Sequence, residues 1–209
     1  MRQDLRGLYV IIDPEAASER DPLEIARAAL AGGARLIQLR DKLRPKGTQL
    51  PLARALLDAC HEHNRLFIVN DHADLALAAG ADGVHVGQKD LPVAEVRRVV
   101  GPEMIVGAST NNLDEARKAV ADGASYIAVG RLFKTGSKED TRPATLEMLH
   151  AIKAAIRVPV CGIGGIDETN IRSVIDTGAD MAAVIGAVSG ADDPRASAEA
   201  LAAHWVTAR

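Results

Sequence analysis

Short runs of consecutive apolar, largely β-branched residues alternate with longer segments whose apolar positions recur every three or four residues. The runs fall at 8–12, 36–39, 66–69, 83–86, 104–108, 126–130, 158–163 and 181–185. Segments with helical spacing lie between and after them, at 21–31, 48–63, 72–79, 92–99, 112–121, 144–156, 168–177 and 194–207. A strand that is apolar on both faces must be covered on both, as a parallel strand is when a crossover helix follows it. Punctuation supports the helix ends. Asp21-Pro22 and Asp193-Pro194 each put a capping carboxylate before a proline of the first turn. Gly32, Gly80, Gly123 and Gly178 stand where a left-handed residue closes a helix ahead of the next strand.

Those glycines expose an internal repeat. GARLIQLR (33–40), GADGVHVG (80–87), GASYIAVG (123–130) and GADMAAVIG (178–186) share one pattern of Gly-Ala, a polar residue and a short apolar strand. They fall on the second, fourth, sixth and eighth predicted strands, so the period is two βα units. Eight units in 209 residues leave about 26 residues each, near the lower end for a (β/α)8 barrel. The expected fold is therefore α/β, a compact (β/α)8 TIM barrel with residues 1–209 as one domain. A doubly wound open sheet is the alternative. It lacks a GxGxxG turn after the first strand, where the chain reads IIDPEAAS.

Composition narrows the function classes. Apolar residues make up 47% and charged residues 25%, which suits a folded core and excludes disorder. The net charge is −3 and the aromatics are only Tyr9, Phe67, Tyr126, Phe133 and Trp205, so a nucleic-acid partner is not expected. Cys60 and Cys161 have no CxxC or metal-ligand spacing and read as buried thiols of a reducing compartment. No stretch has the length of a membrane span, and MRQDLRGLYVIIDPE does not read as a signal peptide. The expectation is a soluble, cytoplasmic protein.

Barrel chemistry sits at the C-terminal ends of strands. Residues at or just past the predicted strands include Gln38, Arg40, Asp41 and Lys42; Asn70 and Asp71; Gly87, Gln88, Lys89 and Asp90; and Ser109 and Thr110. Further round come Lys134, Thr135, Gly136, Ser137 and Lys138, then Gly164 and Gly165, then Gly186. Cations and hydroxyls beside glycine-exposed N–H groups are how proteins hold phosphate. Two aspartates among those cations suit Mg2+, which takes one or two carboxylates plus phosphate oxygens. Plainer readings stay open at this point. Asp71 and Asp90 each precede a predicted helix and would serve as N-caps, and Arg40 and Lys42 would serve as solvated loop charges. His61 and His63 read as a solvated helix end. His85 reads either as a hydrogen-bonded residue of the barrel interior or as a substrate contact.

With these motifs the chain resembles the thiamine-phosphate synthase family over essentially its whole length. The family's Q-L-R-x-K is Gln38-Leu39-Arg40-Asp41-Lys42, and its N-D-x-x-x-L-A…A-D-G-V-H-x-G-Q-x-D runs unbroken from Asn70 and Asp71 to Asp90. Its G-x-S is Gly107-Ala108-Ser109, and its I-G-G-I is Ile163 to Ile166. The resemblance implies a transferase that joins 4-amino-2-methyl-5-hydroxymethylpyrimidine diphosphate to a carboxylated or plain thiazole phosphate, giving thiamine monophosphate and diphosphate. It implies that Gln38 to Lys42, Asn70, Ser109 and Lys138 bind the pyrimidine diphosphate, with Arg40, Lys42 and Lys138 stabilising charge. It assigns Mg2+ to Asp71 and Asp90, and the thiazole phosphate to Thr135, Gly136, Ser137, Gly165, Ile185 and Gly186. No covalent nucleophile is implied, and the oligomeric state is left open.

The departures are local. The family's G-P-x-F-P-T-x-T-K is Gly130-Arg131-Leu132-Phe133-Lys134-Thr135-Gly136-Ser137-Lys138, its usual serine after the last strand is Gly186, and a common histidine is Asn111. Two alternatives remain at this stage. One is a thiazole tautomerase of the same fold, which resembles a protein using that histidine. The other is a non-catalytic binder of thiamine precursors.

Overall fold

The computed structural model describes residues 5–17, 20–134 and 142–205. Eight strands form one closed, wholly parallel barrel in chain order: β1 (Gly7–Ile12), β2 (Leu36–Leu39), β3 (Leu66–Asn70), β4 (Gly83–Val86), β5 (Ile105–Thr110), β6 (Tyr126–Val129), β7 (Val160–Ile163) and β8 (Met181–Val184). The last strand pairs with the first, Gly7 beside Met181. Helices α1 (Pro22–Ala31), α2 (Lys46–Glu62), α3 (Ala73–Ala79), α4 (Val93–Val100), α5 (Leu113–Ala121), α6 (Leu146–Ala155), α7 (Ile171–Asp176) and α9 (Pro194–Ala203) join the strands or follow the last one. A one-turn helix, α8 (Gly186–Ser189), stands between β8 and α9, where the sequence pattern predicted only loop. Four residues are too few for a helical period to register. The open-sheet alternative is excluded by the closure. Among the described residues no helix is long and apolar enough to cross a membrane.

Side chains alternate across each strand, so one set fills the barrel and the other meets the helices. Val10, Ile37, Leu39, Val69, Val84, Val106, Ile127 and Val184 point outward into a core shared with the helices. Leu5, Leu36, Ile68, Ile105 and Met181 point inward and plug the end where the strands begin. Each such aliphatic, fully buried, contributes roughly 1.5–3 kcal/mol. Nearer the other end the inward positions turn polar, with Gln38, Asn70 and His85 all buried. The barrel thus has a dry floor and a polar mouth.

The two-unit repeat has a physical basis at the floor. In three of its four copies the polar residue after Gly-Ala makes a reciprocal pair with the preceding strand. Asp82 donates its N–H to the Phe67 carbonyl and accepts the Phe67 N–H on its carboxylate. Ser125 does the same with Val106, and Asp180 with Val160. Arg35, in the remaining copy, makes only the backbone half, to Leu8.

Asp21 and Asp193 cap α1 and α9 as expected, each accepting N–H groups of the first turn. Gly80, Gly123 and Gly178 are left-handed, at φ of 76°, 101° and 88°. Gly32 is not: its φ is −80°, and Gly33 takes the turn at φ 98°. Gly32 is small for another reason, since a Cβ there would collide with the Arg195 carbonyl and with Ala198 where α9 crosses α1.

Candidate active site

A cavity of 940 Å³ occupies the mouth, lined by residues from all eight strand ends. One wall carries charge. Arg40 leaves β2 and pairs with the buried carboxylate of Asp13, which follows β1. The Arg40 Nε is buried and has no hydrogen-bond partner among the described residues. A buried guanidinium N–H is costly to leave unpaired, so it marks a place for an acceptor from a ligand. Beside it, Lys42 pairs with Asp71.

Asp71 is held in an uncommon conformation. Its φ of 63° is left-handed, its N–H donates to the His85 carbonyl, and the next N–H turns back to Asn70. A non-glycine residue held there stores strain, which clusters at functional sites. The turn brings the Asp71 carboxyl within hydrogen-bonding reach of Asp90. Burial pushes the Asp71 carboxyl above its ordinary value, Lys42 draws it down, and Asp90 raises it again. Neither aspartate caps the helix that follows: α3 begins at a His72 cap with no side-chain bond, and α4 at Pro92. The Asp90 carboxylate instead accepts the Gly87 N–H at 2.8 Å. The N-cap reading of both residues is thereby set aside. Two carboxylates thus stand close together beside Lys42, one of them in a strained conformation and pushed up by burial.

The opposite wall is backbone. Gly164 and Gly165 have φ of 105° and 64°, and both line the cavity. Leu132 and Phe133 extend the β6–β7 pairing by donating to the Ile163 and Gly164 carbonyls at 3.1 and 3.0 Å. This lays the chain so closely over the glycine turn that a Cβ at Gly165 would strike the Lys134 carbonyl. Lys134 is brought to the same lip as Ile185 and Gly186, and a Cβ at Gly186 would meet open space. Thr135, Gly136, Ser137 and Lys138 lie outside the described residues.

Between the walls runs a line of polar side chains inside the barrel. The Gln38 amide nitrogen donates to the Tyr9 hydroxyl, which is 3.0 Å from the Tyr126 hydroxyl. Tyr126 is 2.9 Å from His85 Nδ1, and His85 Nε2 is 2.9 Å from the Ser109 hydroxyl. The interior reading of His85 holds, since it is hydrogen-bonded within the barrel, and its ring also lines the cavity. Burial pushes both phenols well above their ordinary value, so they stay protonated.

Of the expected site residues, Gln38, Arg40, Lys42, Asn70, Asp71, Asp90, Ser109, Gly165, Ile185 and Gly186 all line the one cavity. Two do not. Leu39 points outward into the core beneath the helices, because it alternates with Gln38 along β2. Asp41 turns its carboxylate to the Arg44 side chain and to the N–H groups of Leu43 and Arg44, holding the loop into α2. His61 pairs with Asp82 at 3.2 Å on the far side, and Cys60 and Cys161 are buried free thiols. Tyr9 lines the cavity, while Asp13 and Tyr126 hold two residues that do, Arg40 and His85; none of the three stands just past a strand from the second onward.

The family model for thiamine monophosphate synthase matches residues 8–188. The chain belongs to the thiamine monophosphate synthase family. It is 49% identical over 195 residues to the thiamine-phosphate synthase of Moorella thermoacetica, covering 93% of each chain. It is also 49% identical to that of Roseiflexus sp. over 93% of this chain and 83% of the relative. The solved thiamine phosphate pyrophosphorylase from Pyrococcus furiosus superposes with a TM-score of 0.91 at 38% identity, covering 98% of both. The expected barrel and the expected transferase of thiamine biosynthesis both hold for this member of the thiamine monophosphate synthase family.

Proposed function

We propose that the chain condenses 4-amino-2-methyl-5-hydroxymethylpyrimidine diphosphate with a plain or carboxylated thiazole phosphate, releasing diphosphate, and with the carboxylated substrate also carbon dioxide, to form thiamine monophosphate. The observation that carries this reading is the facing pair Asp71 and Asp90 beside Arg40 and Lys42, across one cavity from the Gly164-Gly165 turn. The charged wall takes the diphosphate, and the glycine wall takes the single phosphate of the thiazole. Lys138 would add a cation to the first, and Thr135, Gly136 and Ser137 would supply groups for the second.

The carboxylate pair fits Mg2+ by its donors. Among the described residues no third His, Cys, Asp or Glu joins them, so the remaining ligands fall to substrate oxygens and water, the usual arrangement for this ion. Bound there, Mg2+ would neutralise charge on the departing diphosphate. Arg40, with an N–H to spare, and Lys42 would hold the same group as its carbon–oxygen bond breaks and the electron pair leaves with it. The methylene cation left on the aminopyrimidine then accepts the lone pair of the thiazole nitrogen. The walls place that nitrogen by holding its phosphate, and no side-chain nucleophile takes part.

The tautomerase alternative relies on the residue at 111. Here the Asn111 amide donates to the Gly130 and Arg142 carbonyls at 2.6 and 2.8 Å, and it has no acid–base group to offer. Incubation of both substrates with and without Mg2+, followed by assay of thiamine monophosphate and diphosphate, tests the proposal. Both products should appear together and depend on the ion. A silent binder or a tautomerase releases no diphosphate.

A further inference from the structure

The polar line through the barrel has a direction, and the direction can be read from both ends. At one end, the Gln38 amide nitrogen is the group on Tyr9, so the Tyr9 hydroxyl accepts there and its own proton is left for Tyr126. Tyr126, having accepted, gives its proton to His85 Nδ1. A neutral imidazole that accepts at Nδ1 carries its proton on Nε2, so it donates to the Ser109 oxygen. The proton of Ser109 is then free for the cavity. At the other end the same answer follows from the ligand. Diphosphate oxygens only accept, so a serine shared between an imidazole and a diphosphate must donate to the diphosphate and accept from the ring.

Burial is what makes the order hold. Tyr9 and Tyr126 are almost wholly shielded from solvent, so neither hydroxyl has water as an alternative partner. Their edge-on packing, with ring centroids 6.1 Å apart, keeps the two oxygens in register. The line also accounts for the glycine of the G-x-S motif. A Cβ on Gly107 would strike both the Tyr126 ring and His85, so only glycine lets these two meet two residues before Ser109.

We infer that Tyr9, Tyr126 and His85 are positioning residues: a one-way chain of hydrogen bonds from Gln38 sets the Nε2–H tautomer of His85 and thereby aims the Ser109 proton at the pyrimidine diphosphate. Gln38, committed at one amide hydrogen, keeps its carbonyl oxygen and its second N–H for the same substrate. The inference rests on the functional reading above, and its test separates the two. Tyr126→Phe removes one hydroxyl, after which His85 no longer has to accept at Nδ1 and Ser109 loses its preferred direction.

The experiment is a double-substitution cycle with Ser109→Ala, read as kcat/KM for the pyrimidine diphosphate. In the otherwise unaltered chain Tyr126→Phe should lower that value about tenfold, in line with one misdirected hydrogen bond to a charged group. The KM for thiazole phosphate should stay within a factor of about two, and the melting temperature should be too little changed to account for the loss. In the Ser109→Ala background the same change should cost less than about twofold, because the serine through which it acts is gone. Equal losses in both backgrounds overturn the inference. His85→Asn gives a second cycle should Tyr126→Phe fold poorly. It keeps a partner for Tyr126 and has none for Ser109, so its loss too must vanish without the serine. Failure of the unaltered chain to make thiamine monophosphate overturns the functional reading together with the inference. Product formation with additive losses overturns the inference alone.

Discussion

Asp13 gives one carboxylate oxygen to Arg40 and the other to the Glu15 N–H, so it both shapes the loop after β1 and anchors the guanidinium. Released from Asp13, Arg40 keeps its charge and loses its aim. Asp13→Asn is expected to raise the KM for pyrimidine diphosphate by about 10- to 100-fold, the equivalent of one charge-assisted bond of ~1.5–3 kcal/mol, and to leave the KM for thiazole phosphate nearly unchanged. Initial-rate kinetics with each substrate varied in turn checks this. Asp90→Asn separates metal binding from folding. The amide retains an acceptor for the Gly87 N–H while removing the charge that pushes the Asp71 carboxyl up. Turnover should fall by at least about a hundredfold, while the metal-free melting temperature holds or rises, since like charges so close repel. Lower stability with activity retained would mean the carboxylate serves the fold.

At the residue scale the sequence was most legible where chemistry follows a strand. Arg40, Lys42, Asn70, Asp71, Asp90 and Ser109 are polar residues at or beyond the ends of apolar runs, and the closed barrel brings their ends to one mouth. Leu39 and Asp41 were carried in by motif contiguity, which ignores the alternation that turns every second side chain away. Tyr9 and Tyr126 give no functional signal in the sequence because they sit inside strands and count as apolar in a pattern. Only the pairing register, which staggers one strand against the next, makes them neighbours, and a single sequence does not display it.

Elements were legible for a simpler reason. Each strand is short, apolar on both faces and closed by a helix with a helical period of its own, so the eight units stood out. The repeat was visible too, although its purpose was not, because a reciprocal bond between Asp180 and Val160 joins residues far apart in the chain. Asp180 also accepts from Lys153 at 2.6 Å. Asp180→Ala leaves the Val160 N–H without its side-chain acceptor at the barrel floor, which should cost on the order of 1–3 kcal/mol. Denaturant unfolding should show that loss, whereas kcat/KM for either substrate should match the unaltered chain. A fall in activity without a fall in stability would contradict the assignment of this end to folding.

Over the whole molecule the charge is −3, yet Arg40, Lys42, Lys89, Arg131 and Lys134 all line the mouth. A positive opening on a negative body focuses the field where anionic substrates must enter. The kcat/KM for pyrimidine diphosphate should therefore decline several-fold as ionic strength rises from about 0.02 to about 0.3 M, a range over which screening shortens to less than about 10 Å. A flat profile in a salt titration at constant free Mg2+ would place the lysine ammonium groups away from the approach path.

The floor of Leu36, Ile68, Ile105 and Met181 lies between the reciprocal bonds at the strand starts and the polar mouth, and these side chains are all apolar. The reciprocal bonds and the polar groups of the mouth therefore lie at opposite ends of the strands, and free energies of well-separated sites add. The upper tier is thus a replaceable storey on a self-supporting base. A library randomised at Gly186 and Ala187, both on the lip of the cavity, where a Cβ at Gly186 meets open space, should yield variants that melt with the parent while accepting differently shaped phosphate esters.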